Sequence, residues 1–147
     1  MLRKEAIVPD LKSRTKKEVL DELVAPVAGP AGIDPDELVR VLLERERLGS
    51  TGIGGGIGIP HGKLKGIQDL LIGFGLSRQG VDFESLDGLP TRIFFLLVTP
   101  ENSTGLHLKL LARISRILKN EPFREKLLKA ADRDEILSAI REEDEEF

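Results

Sequence analysis

"RIFFLLVT", residues 92–99, decides the architecture. From Ile93 to Val98 it has no polar face. A strand with one wet side alternates apolar and polar residues, whereas a strand covered on both sides reads as an unbroken apolar run. Turn residues flank the stretch and hold it to strand length, so it predicts a central strand with a layer of structure on each face. Its neighbours support a sheet. "LLIGFGLS" (70–77) is a second apolar run, and "VDFESLDG" (81–88) alternates and ends in Asp87-Gly88, which predicts an edge strand or a hairpin. Ile57 and Ile59 suit one more short strand.

Helical spacing lies on either side of these runs. Thr15 and Glu18 form a capping-box pattern, and Val19, Leu20, Leu23, Val24 and Val27 repeat at helical intervals until Gly29 and Pro30. Asp34 and Pro35 open a second helix that ends near Gly49. Beyond Pro100, Leu106 to Leu118 is strongly amphipathic, "EPFREKLLKA" (121–130) reads as another helix, and Asp132 with Glu135 caps a last one. "REEDEEF" (141–147) reads as a short, solvated acidic tail. Helices before and after the strands predict one domain over residues 1–147, with its sheet covered on both faces.

Composition narrows the chemistry. A chain of 147 residues buries about 68–70% of its unfolded surface, enough for one core. It has no cysteine, which excludes disulfides, zinc-thiolate sites and thiol catalysis. No apolar run approaches the roughly 20 residues needed to span a bilayer, and "MLRKEAIVPD" lacks the apolar stretch of a signal peptide. We therefore expect a cytoplasmic protein without membrane insertion. The net charge is −3, with basic residues dispersed among acidic ones and no Tyr or Trp for base stacking, so no nucleic-acid partner is expected.

Three residues sit where packing alone would not put them. At about 100° per residue, Arg45 falls in the apolar arc of Leu38, Val39, Val41, Leu42 and Leu43. An arginine in the last turn of a helix also fits the C-terminal dipole and can snorkel to water, so its position alone leaves both readings open. His107 lies beside Leu111, Ile114 and Leu118 near a helix N-terminus, where it is either a satisfied core histidine or an anion ligand. His61 stands in "TGIGGGIGIPHGK" (51–63), between Pro60, which stiffens the backbone, and Gly62. The bland reading is a glycine-rich turn with an incidental histidine. Yet each such glycine costs roughly 0.5–1 kcal/mol in a regular element, and exposed glycine N–H groups suit an anion.

Familiar motifs fail here. A Walker A loop ending at Gly62-Lys63 would need glycine at position 57, which is Ile, and Ser or Thr at 64, which is Leu. No G-x-G-x-x-G, G-x-S-x-G or H-E-x-x-H is present. A two-histidine metal site with carboxylates stays open, since the spacing of His61 and His107 carries no information. The residues together suit transient phosphorylation of imidazole. The neutral ring, with an ordinary pKa of about 6.5, is a nucleophile at cell pH without a general base. Arg45 and His107 would hold charge on the phosphoryl oxygens. Thr51, Gly54, Gly56 and Gly62 are the candidate phosphate-binding residues of the loop, and no metal or cofactor is required.

"RERLGSTGIGGGIGIPHGKL" (45–64) closely resembles the active-site segment of enzyme IIA proteins of the bacterial phosphoenolpyruvate-dependent phosphotransferase system, in the fructose, mannitol and nitrogen-regulatory class. "HLKLLARISRIL" from His107 resembles that family's second histidine motif, and "VDFESLDGLPTRIFFLLVTPEN" (81–102) its intervening strands. The resemblance implies an α/β fold, a three-layer α/β/α sandwich with a mixed sheet of about five strands. It implies that His61 accepts a phosphoryl group from phospho-HPr or the nitrogen-branch relative of HPr, with Arg45 and His107 as stabilising partners. The onward acceptor would be a IIB protein in sugar uptake. In the nitrogen-regulatory alternative, phosphorylation controls binding to transporter or kinase targets. Either partner is expected to be a separate protein. Gly58 departs from the alanine usual before "IPH", which should loosen the cradle.

Overall fold

In the computed structural model, which describes residues 1–147, the "RIFFLLVT" run is β6 (Thr91–Pro100) and occupies the middle of the sheet. On one side it pairs antiparallel with β5 (Leu71–Val81). On the other it pairs parallel with two short strands laid end to end, β3 (Ile57–Gly58) and β4 (His61–Leu64). β1 (Ile7–Val8) adds to β5 in parallel, and β2 (Gly52–Gly54) adds to β3 antiparallel. The sheet is therefore mixed and six-stranded, in the order β1-β5-β6-β3-β2, with β4 continuing the line of β3 along β6.

Both faces of β6 are filled, which is why its sequence lacks alternation. Phe94, Phe95, Leu96, Leu97 and Val98 are all fully buried. On one face Phe94 meets Phe83 edge-on at 5.2 Å, and on the other Phe95 meets Phe74 at 5.0 Å. The Phe94 face is covered by α1 (Lys16–Ala31) on β5 and α2 (Pro35–Glu46) on β4. The opposite face is covered by α3 (Thr104–Leu118) on β6, α4 (Glu121–Lys129) on β5 and α5 (Arg133–Glu143) on β1. Glycine sets the depth of the first layer: a Cβ on Gly75 would lie 2.7 Å from Leu23 of α1 and 2.8 Å from Leu11.

Three local expectations need correction. Of the two readings of residues 81–88 the hairpin holds and the edge strand does not: residues 82–90 are an irregular loop closing the β5–β6 hairpin. Asp82 accepts from Glu84 N–H and Asp87 from Leu89 N–H, so these side chains take backbone donors that a ladder would have used. Phe83 turns into the core. At α1, the Thr15 hydroxyl donates to the Glu18 carboxylate at 2.7 Å, without the reciprocal backbone bonds of a capping box. That helix also runs past Gly29 and Pro30 to Ala31, where Gly32 at φ 68° turns it off.

The third correction concerns the acidic tail. Residues 141–143 are the last turn of α5, and Phe147 is only 2% exposed, packed on Phe95 with ring centroids 5.8 Å apart. Arg113 of α3 grips the Asp144 carboxylate through Nε and Nη2, reaches Glu146 and covers the Phe147 ring. A run of charges hid one buried aromatic. Phe147→Ala is expected to lower stability by about 3 kcal/mol, the lower end for emptying a buried phenylalanine site, read as a shift of the urea midpoint. An unshifted midpoint would mean that the ring contributes nothing.

Candidate functional site

β4 pairs only with β6, so it forms a sheet edge, and His61 is its first residue. Side chains alternate along a strand. Gly62 faces α2, where a Cβ would lie 3.1 Å from Val41, so His61 and Lys63 face the α3 layer. The half-buried His61 ring is anchored by its own backbone, with Nδ1 2.6 Å from the Ile59 carbonyl oxygen. A carbonyl only accepts, so Nδ1 carries the proton and Nε2 keeps its lone pair. Burial pushes the imidazole below its ordinary value of 6.5; the Ile59 bond opposes this, the Arg45 charge adds to it and the Glu46 charge opposes it. The free nitrogen is thus unprotonated at neutral pH.

α3 brings the second ring. His107 lies in its first turns, its N–H donating to the Ser103 carbonyl at 2.9 Å, and its ring is 5.4 Å from that of His61 with a tilt of 53°. His107 is 6% exposed, and its Nδ1 lies 2.7 Å from the hydroxyl of Thr99 on β6. Burial lowers the His107 pKa from 6.5, and the charges of His61 and Lys63 lower it further. Lys63 extends over the same face, donating from Nζ to the Thr104 hydroxyl, at the start of α3, at 2.9 Å.

Arg45, in the last turn of α2, is half-buried, and its Nη1 donates to the Gly49 carbonyl at 3.0 Å. The side chain bends back over its own helix end while its charge still reaches His61. Its remaining N–H donors have no protein partner.

The glycine cradle is not where the sequence pointed. Thr51 is buried and engaged: its N–H donates to Glu46 at 3.1 Å and its hydroxyl donates to the other oxygen of the same carboxylate. Gly54 (φ 95°) and Gly56 (φ 79°) turn the β2–β3 hairpin, whose Gly55 N–H donates to Asp87. Ile57 pairs with Ile93 and His61 with Leu97, so the hairpin tip stands about 13 Å along the sheet from His61 at ~3.3 Å per residue. Gly62 serves helix packing on the opposite face. Gly58 makes room for the Phe94 ring, which a Cβ would approach to 3.2 Å, and so does not loosen a cradle.

Three contributors escaped the sequence reading. Glu46 is buried and bonds Thr51 as well as Lys16 Nζ at 3.1 Å, which ties the end of α2 to the loop leading to His61. Its position four residues after Leu42 and seven after Val39 put it on the inward stripe, so helical spacing alone could have found it. Lys63, two residues from His61, shares its face because residues 61–64 form a strand, one not among those expected from the sequence. Thr99 required knowing how α3 packs back over the end of β6, which no local pattern carries.

The two depressed histidines predict a pH dependence of stability. Each binds its proton more weakly folded than unfolded, so their contribution is complete above pH 6.5 and declines as pH falls below it. Urea unfolding should show stability falling from about pH 6.5 to 5.5, before ordinary carboxylates titrate. A His61→Gln, His107→Gln double variant should flatten that slope; an equal slope in both proteins would contradict the assignment.

The family described as "Phosphoenolpyruvate-dependent sugar phosphotransferase system, EIIA 2" matches residues 1–143. The chain belongs to this family. Within it, the nitrogen regulatory protein of Bradyrhizobium diazoefficiens is 42% identical over 136 residues, which is 92% of this chain and 89% of the relative. The PTS system fructose-specific EIIABC component of Bacillus subtilis is 39% identical over 146 residues, 98% of this EIIA chain but 23% of that longer protein. The crystal structure of the nitrogen regulatory protein IIA-Ntr from Neisseria meningitidis superposes with a TM-score of 0.89 at 31% identity, covering 95% of each chain. No helix of the EIIA chain is long and apolar enough to cross a membrane.

Proposed function

We propose that the chain is a cytoplasmic phosphoryl carrier that accepts a phosphoryl group on His61 Nε2 from phospho-HPr, or the nitrogen-branch relative of HPr, and passes it on. One observation carries this reading: two neutral imidazoles lie 5.4 Å apart, each anchored through Nδ1 and each keeping Nε2 free. In the step, the P–N bond to the donor imidazole breaks as a P–N bond to His61 Nε2 forms, and the donor ring leaves with its electron pair. The proton on His61 Nδ1 stays, held by the Ile59 carbonyl, so the phosphorylated ring carries a positive charge and remains a good leaving group for the next transfer. Arg45, His107 and Lys63 supply donors and positive charge to the phosphoryl oxygens, with little reorganisation needed because the rings are already fixed. Thr51, Gly54 and Gly56 have no part in it.

The onward acceptor is a IIB component, consistent with the fructose relative whose name joins A, B and C components. A regulatory reading has its own support: the relative at 42% identity and the structure at TM-score 0.89 are both nitrogen regulatory proteins. In that reading the phosphorylation state of His61 controls binding to a transporter or kinase target. Incubation with labelled phosphoenolpyruvate, enzyme I and HPr should label the protein. Label that then moves to an added IIB domain supports transport, while retained label and phosphorylation-dependent capture of a regulatory target support signalling. No label at all would refute both.

A further inference from the structure

Thr99 is fully buried, and His107 Nδ1 at 2.7 Å is the one hydrogen-bond partner of its hydroxyl. Two assignments of the proton are open in principle. If the ring donated from Nδ1, the hydroxyl would accept and its own O–H would be left in the core without an acceptor. If the hydroxyl donates, both groups are satisfied, and the ring must carry its hydrogen on Nε2. A doubly protonated ring would meet the first difficulty again, and burial with the neighbouring His61 and Lys63 disfavours it.

We propose that Thr99 is a positioning residue for phosphoryl transfer: its hydroxyl donates to His107 Nδ1, fixes the Nε2–H tautomer and so turns the second histidine into a hydrogen-bond donor for the phosphoryl group. In the other tautomer Nε2 would point a lone pair at an anion and repel it. The strand register makes this possible. His61 pairs with Leu97, and Thr99, two residues further on β6, lies on the same face, beneath the α3 turn that carries His107. One short stretch of β6 thus sits under both rings. The proposal rests on the phosphoryl-carrier reading of His61, but its structural half can be tested without phosphate.

The test is the 15N NMR spectrum of histidine-labelled protein in the unphosphorylated state, paired with transfer rates from phospho-HPr. Wild-type His107 is expected to show a pyridine-like Nδ1 and a pyrrole-like Nε2. Thr99→Val, which keeps the shape and removes the hydroxyl, should mix or reverse that pattern and slow phosphoryl uptake about 10- to 100-fold, the range for loss of a partner that orients a functional histidine. Thr99→Ser should restore both. A pyrrole-like Nδ1 on wild-type His107 overturns the proposal whatever the variants do, including a Thr99→Val protein that fails to fold. An unchanged tautomer and rate in folded Thr99→Val overturns it as well. Wild-type protein that takes up no phosphoryl group sinks the carrier reading instead, and the His107 spectrum still decides what Thr99 does.

Discussion

His61→Ala is expected to take up no phosphoryl group from phospho-HPr while keeping its fold. The loss should be complete if the ring is the nucleophile, as proposed: Nε2 is the one imidazole nitrogen of His61 left unbonded, and in that reading it makes the bond to phosphorus. His107 is the nearest alternative, 5.4 Å away, but it is 6% exposed and, with its hydrogen on Nε2, offers no lone pair to the donor. Removal of a half-buried ring at a sheet edge should disturb packing little, because β4 is held to β6 by its backbone from His61 to Leu64. The measurement is label on the protein after incubation with phosphoenolpyruvate, enzyme I and HPr, with circular dichroism to confirm folding. Label on the folded variant at the wild-type level would remove His61 from the centre of the account.

Arg45→Ala should fold normally and accept the phosphoryl group about 10³-fold more slowly, at the low end of what a positioned arginine contributes to phosphoryl transfer. Its guanidinium makes one bond, to the Gly49 carbonyl, and its charge is felt at His61. The two readings left open by the helix position predict different results. An arginine that only snorkels to water and caps its own helix would leave the rate unchanged and cost a few tenths of a kcal/mol of stability. An arginine that holds phosphoryl oxygens would change the rate far more than the stability. Arg45→Lys sharpens the distinction, since it keeps the charge but loses the planar fork of donors, and should recover only part of the rate. Stopped-flow or quench-flow transfer from phospho-HPr reads both variants.

Much of the fold was legible because its central element is buried on both sides. An apolar run with no alternation, such as Ile93 to Val98, has few alternatives, and the helical stripes around it follow from the same need to cover two faces. The parts that misled are those in which long-range packing overrode local pattern. Phe83 and Phe147 are single aromatics in polar surroundings, and only the distant partners Phe94 and Phe95 explain them. The site divides the same way. His61, His107 and Arg45 stood out as residues in awkward company. The glycines beside His61 looked like its cradle because sequence distance stands in poorly for distance along a sheet: Gly54 and Gly56 turn a hairpin about 13 Å away at ~3.3 Å per residue. Conversely, Thr99 touches His107 because α3 folds back over the end of β6, and the β4–β6 register then sets both beside His61; no local pattern around Thr99 announces either.

The most direct test of the central claim is the position of phosphorus on the ring. In protein labelled with 15N at histidine and phosphorylated through enzyme I and HPr, one-bond coupling between phosphorus and nitrogen identifies the bonded atom. Coupling to Nε2 of His61, with Nδ1 still protonated and His107 unmodified, is the predicted result. Coupling to Nδ1 of His61, or to either nitrogen of His107, would contradict the anchoring of the first ring by the Ile59 carbonyl and the mechanism built on it.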